Sequence, residues 1–133
     1  MGSTSNDWFS YSYELDFLMS VSSIYVPSIG PQDSQIVFVG EAPGVDEERQ
    51  GEPFVGESGN LLTNCLGRNG ITRDSVRLEN LCHYRPERNE FSLLLGTPQL
   101  FSGIAELTNR LASSRPTVIC ALGNWPMYYL TGK

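Results

Sequence analysis

Two short apolar runs, Ile36–Val39 and Thr117–Leu122, stand at either end of this chain's most ordered-looking region, and a glycine closes each, Gly40 and Gly123. A strand with one wet face alternates apolar and polar residues, whereas an unbroken run marks a strand buried on both faces, as in a parallel sheet covered by helices. Val76 to Cys82 reads as a further strand, with Val76, Leu78, Asn80 and Cys82 on one side and Arg77, Glu79 and Leu81 on the other. Helical signals fall between and after the strands. Ser58 is placed to cap a helix from Gly59 to Arg68, whose apolar face carries Leu61, Leu62, Cys65 and Leu66 and which Asn69-Gly70 stops. Thr97-Pro98 opens another, cap residue then proline at the first helical position, with Leu100, Ile104, Leu107 and Leu111 following at helical spacing. A short helix with Trp125, Met127, Tyr128 and Leu130 follows Gly123. Such alternation predicts a three-layer α/β/α domain around a central, largely parallel sheet, with ligands at the carboxyl ends of the strands.

The first 33 residues read differently. Met1 to Ser5 look like a flexible lead-in; Trp8, Phe9, Tyr11, Leu15, Phe17, Leu18 and Val21 then recur at a spacing that fits a helix packed on the domain edge. Pro27 to Asp33 is a turn-rich connector, so residues 1–33 are expected to form an N-terminal segment and residues 34–133 the α/β domain. An apolar fraction of 40% argues against disorder. No apolar run approaches the roughly 20 residues a membrane span needs, and no basic region leads into one, so a cytoplasmic protein that does not engage membranes is expected. Cys65, Cys82 and Cys120 are odd in number and lack C-x-x-C spacing, which predicts buried, reduced thiols and neither a disulfide framework nor a metal site.

Between Gly40 and Leu62 the chain reads GEAPGVDEERQGEPFVGESGNLL. Gly40, Gly44, Gly51, Gly56 and Gly59 surround a lone aromatic residue, Phe54, which suits a place where backbone approaches a flat ligand. Neither G-x-x-x-x-G-K-[ST] nor a G-x-G-x-x-G string after a strand is present, which weakens a plain nucleotide-binding reading.

The GEAPG string, the acidic run after it and GEPFVGESGNLL resemble the first signature of the uracil-DNA glycosylase superfamily, most closely its family 4 and 5 branches. The resemblance continues through Glu79-Asn80-Leu81, Arg85-Pro86-Glu87-Arg88-Asn89 and Ala121-Leu122-Gly123, and covers Ser34 to Lys133. It implies a uracil-DNA glycosylase-like fold, shortened at its C-terminal end, and a DNA glycosylase that gives an abasic site from uracil or a related pyrimidine flipped out of DNA. By the same resemblance Phe54 stacks on the extruded base, Asn80 reads its edge and Glu41 positions the nucleophilic water, with Glu41 and Asn80 catalytic. Gly40, Ala42, Pro43 and Gly44 would complete the base site, and Gly59, Arg85 and Arg88 would meet the DNA.

Chemistry explains why these residue types suit the task. A carboxamide both donates and accepts, so Asn80 can tell uracil from cytosine. Cleavage leaves positive charge on the sugar and negative charge on the departing base, which calls for a carboxylate with a water on one side and hydrogen-bond donors on the other. Backbone N–H groups from Glu41 through Gly44 are candidates for the donor side. Bland readings stand beside these. Phe54 can be a core residue beneath a loop, Asn80 a turn cap, Glu41 a ligand of nearby backbone amides, and Arg85 and Arg88 solvated surface groups. Asp46, Glu47 and Glu48 read as a solvated acidic turn, and His83 as a strand-end or surface residue.

Two features set the chain apart from the family it resembles. Many family 4 members hold an iron–sulfur cluster through four cysteines; here the N-terminal region has none, Tyr84 stands just before Arg85, and no cofactor is expected. The family's third signature, histidine followed by proline and serine, lies on a loop beyond the strand and helix with which this sequence ends. Either these residues are a piece of a longer protein, or they are a short form that keeps the pocket as a base- or DNA-binding module, for example beside a phage replication protein. A repair or replication partner, or a missing C-terminal segment, is the expected companion. The net charge of −6 is unevenly spread: residues 1–58 carry ten acidic side chains against Arg49 alone, and residues 59–133 eight basic against five acidic. The two halves are expected to face different partners, with DNA containing uracil or a modified pyrimidine on the basic side.

Overall fold

Ile36, Val37, Phe38 and Val39 form β1 (Ile36–Gly40) in the computed structural model, which describes residues 20–133. Every residue of β1 after Ile36 is buried, as its unbroken apolar sequence predicts. It is the middle strand. β2 (Arg77–Asn80) pairs with it in parallel from Val37↔Arg77 to Gly40↔Asn80, and β3 (Val118–Ala121) pairs on the other side from Ile36↔Val118 to Val39↔Ala121. Parallel neighbours require crossovers, and helices supply them. Between β1 and β2 lie α1 (Val45–Gln50) and α2 (Glu57–Arg68); between β2 and β3 lies α3 (Pro98–Ser114), and α4 (Asn124–Thr131) follows β3.

The side chains of β1 alternate between two cores. Val37 and Val39 pack with Leu81, Leu94, Leu100 and Leu107 beneath α3, with Trp125 and Leu130 of α4 joining them. Phe38 packs with Leu66, Val76 and Leu78 on the opposite face, where α2 also brings Leu62. Helices therefore cover both faces, and the domain is three-layer α/β/α. Beside β2 the chain from Val21 to Ile29 runs antiparallel, bridging Pro86 and Leu78. The helix expected across Trp8 to Val21 lies outside the described residues apart from its last two positions. Among the described residues no helix is long and apolar enough to cross a membrane.

Several local expectations need correction. The cap of α2 is Gly56 and the helix starts at Glu57, so Ser58 and Gly59 are inside its first turn. Its inner face is Gly59, Leu62 and Leu66, one turn apart in succession; Leu61, 62% exposed, and Cys65, also exposed, lie on the neighbouring stripe. β2 ends at Asn80, and beyond it the alternation fails, because Leu81 and Cys82 both enter the α3-side core. β3 is an edge strand among the described residues, and Val118 and Ile119 are 47% and 42% exposed in place of the burial its sequence predicts. Of the three thiols only Cys82 is buried; Cys120 is half-buried. The opening of α3 is as expected: the Thr97 hydroxyl accepts from the Leu100 N–H at 3.2 Å, with Pro98 next.

Candidate functional site

The register of β1 against β2 sets Gly40 opposite Asn80, at the carboxyl ends of both strands. A Cβ on Gly40 would stand 2.7 Å from Phe54 Cζ and 2.7 Å from Asn80 Oδ1. Ring and carboxamide thus meet over a residue that has no side chain. They border a cleft of about 740 Å³ that Glu41, Ala42, Gly44, Gly59, Leu61 and Gly123 also line. Pro43 borders a smaller cavity of about 170 Å³ beside it, with Glu41, Pro86 and Asn89.

Asn80 is only 6% exposed, yet its carboxamide has no hydrogen-bond partner among the described residues. The amide atoms reach the cleft, where water or an entering group can satisfy them. Glu41 is in the same condition. Its carboxylate has no hydrogen bond or ion pair among the described residues, and desolvation pushes its pKa above the ordinary carboxylate value. Gly123, at the end of β3, lies against it: a Cβ there would be 3.3 Å from Glu41 Oε2.

The backbone amides that Glu41 was a candidate to satisfy are held by Glu47. Its Oε1 accepts from the Gly44 N–H at 2.9 Å, and its Oε2 from the N–H groups of Val55 at 2.9 Å and Gly56 at 2.7 Å. One carboxylate ties the cap of α1 to the cap of α2 across the Phe54 loop. Glu47 is accordingly no member of a solvated turn, and the Gly44 N–H is spent on it. Its signal was present in the sequence, since Gly44-x-x-Glu47 has the spacing of a capping box. Glu48 is also engaged, accepting from the Ser22 hydroxyl and lying 4.0 Å from Arg85, while Asp46 pairs with Arg49 on the surface.

Phe54 itself has φ +56°, a left-handed conformation unfavourable for a residue with a Cβ. Gly59 makes room for it, because any side chain there would overlap the Phe54 carbonyl. Arg73 donates to the carbonyls of Pro53 at 2.6 Å and Phe54 at 2.8 Å. Nothing in the sequence around Arg73 announces that contact.

Four of the nine basic residues are committed inside the fold, and the other five are exposed. Arg77 and Arg110 both hydrogen-bond Glu79, Arg73 lies 3.5 Å from Glu52, and Arg85 donates to Asn89 Oδ1 at 2.8 Å. Two ion pairs join the acidic and basic halves, Arg73 with Glu52 and Arg85 with Glu48, and the other pairs lie within one half. Arg88, exposed and 3.4 Å from Glu90, stands on the loop that carries Asn89 to the cleft. Glu41, Asp46, Glu47 and Glu57 line the cleft, and among the described residues no lysine or arginine does. His83 is neither a strand-end nor a surface residue: it lies three residues beyond β2 and is 4% exposed, its Nδ1 lies 2.9 Å from the Val26 carbonyl, and Tyr25 packs on its ring.

These residues do not fit the iron–sulfur cluster of the resembling family. Cys82, whose thiol burial pushes up in pKa, donates to the Tyr84 carbonyl at 3.5 Å in the α3-side core, whereas Cys120 packs on the α2 side of the sheet. Among the described residues no three His, Cys, Asp or Glu side chains gather as metal ligands.

Fold and cleft together define an α/β domain with an aromatic face and an unspent carboxamide at the carboxyl ends of a parallel sheet. The family model described as the uracil DNA glycosylase superfamily matches residues 27–133. The chain is similar to the type-4 uracil-DNA glycosylase of Archaeoglobus fulgidus, 40% identical over 107 residues that cover 80% of this chain and 52% of the relative. Against the type-4 enzyme of Thermotoga maritima it is 38% identical over 106 residues, 78% of this chain and 53% of the relative. Against that of Sulfurisphaera tokodaii it is 45% identical over 113 residues, 81% and 48%. The chain belongs to the uracil-DNA glycosylase superfamily, and it spans about half the length of the curated relatives it matches.

Proposed function

We propose that the protein acts on uracil-containing DNA as a glycosylase, hydrolysing the bond between sugar and base once the nucleotide is flipped into the cleft. The observation that carries this reading is the meeting of the Phe54 ring and the unpaired Asn80 carboxamide over Gly40, with the Glu41 carboxylate alongside. The names of the relatives support it. In this reading the phenyl ring stacks on the pyrimidine, worth about 1–3 kcal/mol per base in other proteins. Asn80 donates to a carbonyl oxygen of uracil and accepts from its N3–H; cytosine presents the opposite pattern at N3 and N4 and leaves the amide mismatched. Glu41, in its ionised form, orients a water toward C1′ and stabilises the positive charge that grows on the sugar. Water bonds to C1′ as the C1′–N1 bond breaks, the electron pair leaves with the base, and the water's proton passes to Glu41 or solvent.

A second reading, a module that binds the base without releasing it, is favoured by the acidic lining of the cleft, which offers no cationic group to a phosphate or to the departing base. One experiment separates the two. The protein is incubated with a uracil-containing oligonucleotide, which is then heated in alkali. Strand scission above background, abolished in Asn80→Ala, supports the glycosylase. Stoichiometric binding that Phe54→Ala destroys, with no scission, supports the binder. Absence of both refutes the pocket.

A further inference from the structure

We propose that Arg73, which does not line the cleft, is a positioning residue for base binding: its guanidinium fixes the Phe54 backbone in the left-handed conformation that aims the ring. The inference rests on the reading of Phe54 as the stacking residue. Two neighbouring carbonyls, those of Pro53 and Phe54, converge on this one side chain at 2.6 and 2.8 Å. Peptide carbonyls in an extended chain point apart, so their convergence is a consequence of the turn at Phe54. A planar fork with several fixed N–H directions matches such a pair, and a lysine ammonium does not hold the whole set.

The rest of the arrangement closes a ring. Arg73 Nη1 also donates to Thr63 Oγ1 at 3.1 Å, and the Thr63 hydroxyl donates to the Gly59 carbonyl at 3.0 Å. Gly59 is the residue whose missing side chain lets α2 abut the Phe54 carbonyl. Phe54, Arg73, Thr63 and Gly59 therefore brace one another, with Glu52 at 3.5 Å partly neutralising the cation. Freed of this brace, a residue with a Cβ relaxes toward negative φ, and a change of that dihedral swings the ring away from Gly40 and Asn80.

Fluorescence anisotropy tests this with a labelled single strand carrying one 2′-fluorinated deoxyuridine, which resists turnover, and with the same strand carrying an abasic analogue. The ratio of the two Kd values isolates the contribution of the base and cancels losses of folded protein or phosphate contact. Phe54→Ala is expected to reduce the ratio about tenfold or more. Arg73→Ala is expected to reduce it to a similar extent and to add nothing on the Phe54→Ala background. Arg73→Lys, which keeps the charge beside Glu52, should fall between and carries the test where Arg73→Ala does not fold. A wild-type ratio in the Arg73 variants, or a further loss on the Phe54→Ala background, overturns the inference and leaves stacking by Phe54 intact. An unchanged ratio in Phe54→Ala, or a ratio near one in the wild type, refutes the stacking reading itself and the inference with it.

Discussion

Replacing Glu47 by alanine removes one acceptor group from three backbone donors at once, those of Gly44, Val55 and Gly56. Hydrogen bonds to charged groups contribute about 1.5–3 kcal/mol each when buried. This carboxylate is only half-buried, and water replaces part of what is lost, so about 1 kcal/mol per bond is the better figure. Glu47→Ala should then destabilise by about 3 kcal/mol, a large share of the roughly 5–15 kcal/mol that holds a domain together. Glu47→Gln keeps a single acceptor oxygen and must turn its NH2 toward either Gly44 or the Val55 and Gly56 pair, so about half that loss is expected. Urea unfolding followed by tryptophan fluorescence measures it, since the half-buried Trp125 stacks on the core residue Phe91 with ring centroids 5.0 Å apart. The midpoint should fall with the slope unchanged. Asp46→Ala is the control: that side chain pairs with Arg49 on the surface, and the change should stay within about 0.5 kcal/mol. A Glu47→Ala variant as stable as the control would show that the carboxylate does not hold the loop.

Glu79 makes a second stability prediction. Burial works to raise its pKa, but hydrogen bonds from Arg110, Ser28 and Arg77 outweigh it and hold the carboxyl below its ordinary value. Its stabilisation is thus complete above the unfolded value of about 4.3 and is lost as pH falls through the lower folded value; Glu79→Gln should flatten acid unfolding, and Glu79→Ala should cost about 3–5 kcal/mol by stranding two arginines. Glu41 has the opposite sign. Its raised pKa means that ionisation disfavours the folded state, so Glu41→Gln should melt higher than wild type at neutral pH, with the difference closing below about pH 4, while base release is lost. If base release is retained in Glu41→Gln, the water-positioning role falls. Gly59→Ala should lower both stability and base discrimination although alanine is the better helix former, because the added methyl meets the Phe54 carbonyl; a more stable variant would contradict the packing described.

Periodicity was enough to read the layers, because β1 and α3 carry patterns that local propensity and tertiary burial both favour. It was misleading at β3, whose apolar run looks like that of β1 although its first residues are half-exposed at the sheet edge. The same holds for α2, where Leu61 reads as core by residue type while the helix is rotated to bury Gly59. The glycine loop displayed Phe54 plainly, and strand parity placed Asn80 on the correct face. What could not be read was the division of labour between carboxylates. Glu41 and Glu47 are alike in composition terms, and only the turn between them decides which one meets the amides and which stays unpaired. Arg73 was invisible for a simpler reason: a long side chain reaching back to carbonyls of an earlier loop leaves no periodic trace.

The positive φ of Phe54 also bears on how this sequence would change over generations. Glycine or asparagine would occupy that conformation with little strain, but either would give up the packing of the ring against the α2-side core. Copies of the gene released from their task would weigh that strain against the ring's packing on the cluster of Phe38, Leu66 and Leu78, so the aromatic residue is held at this position by two opposed demands.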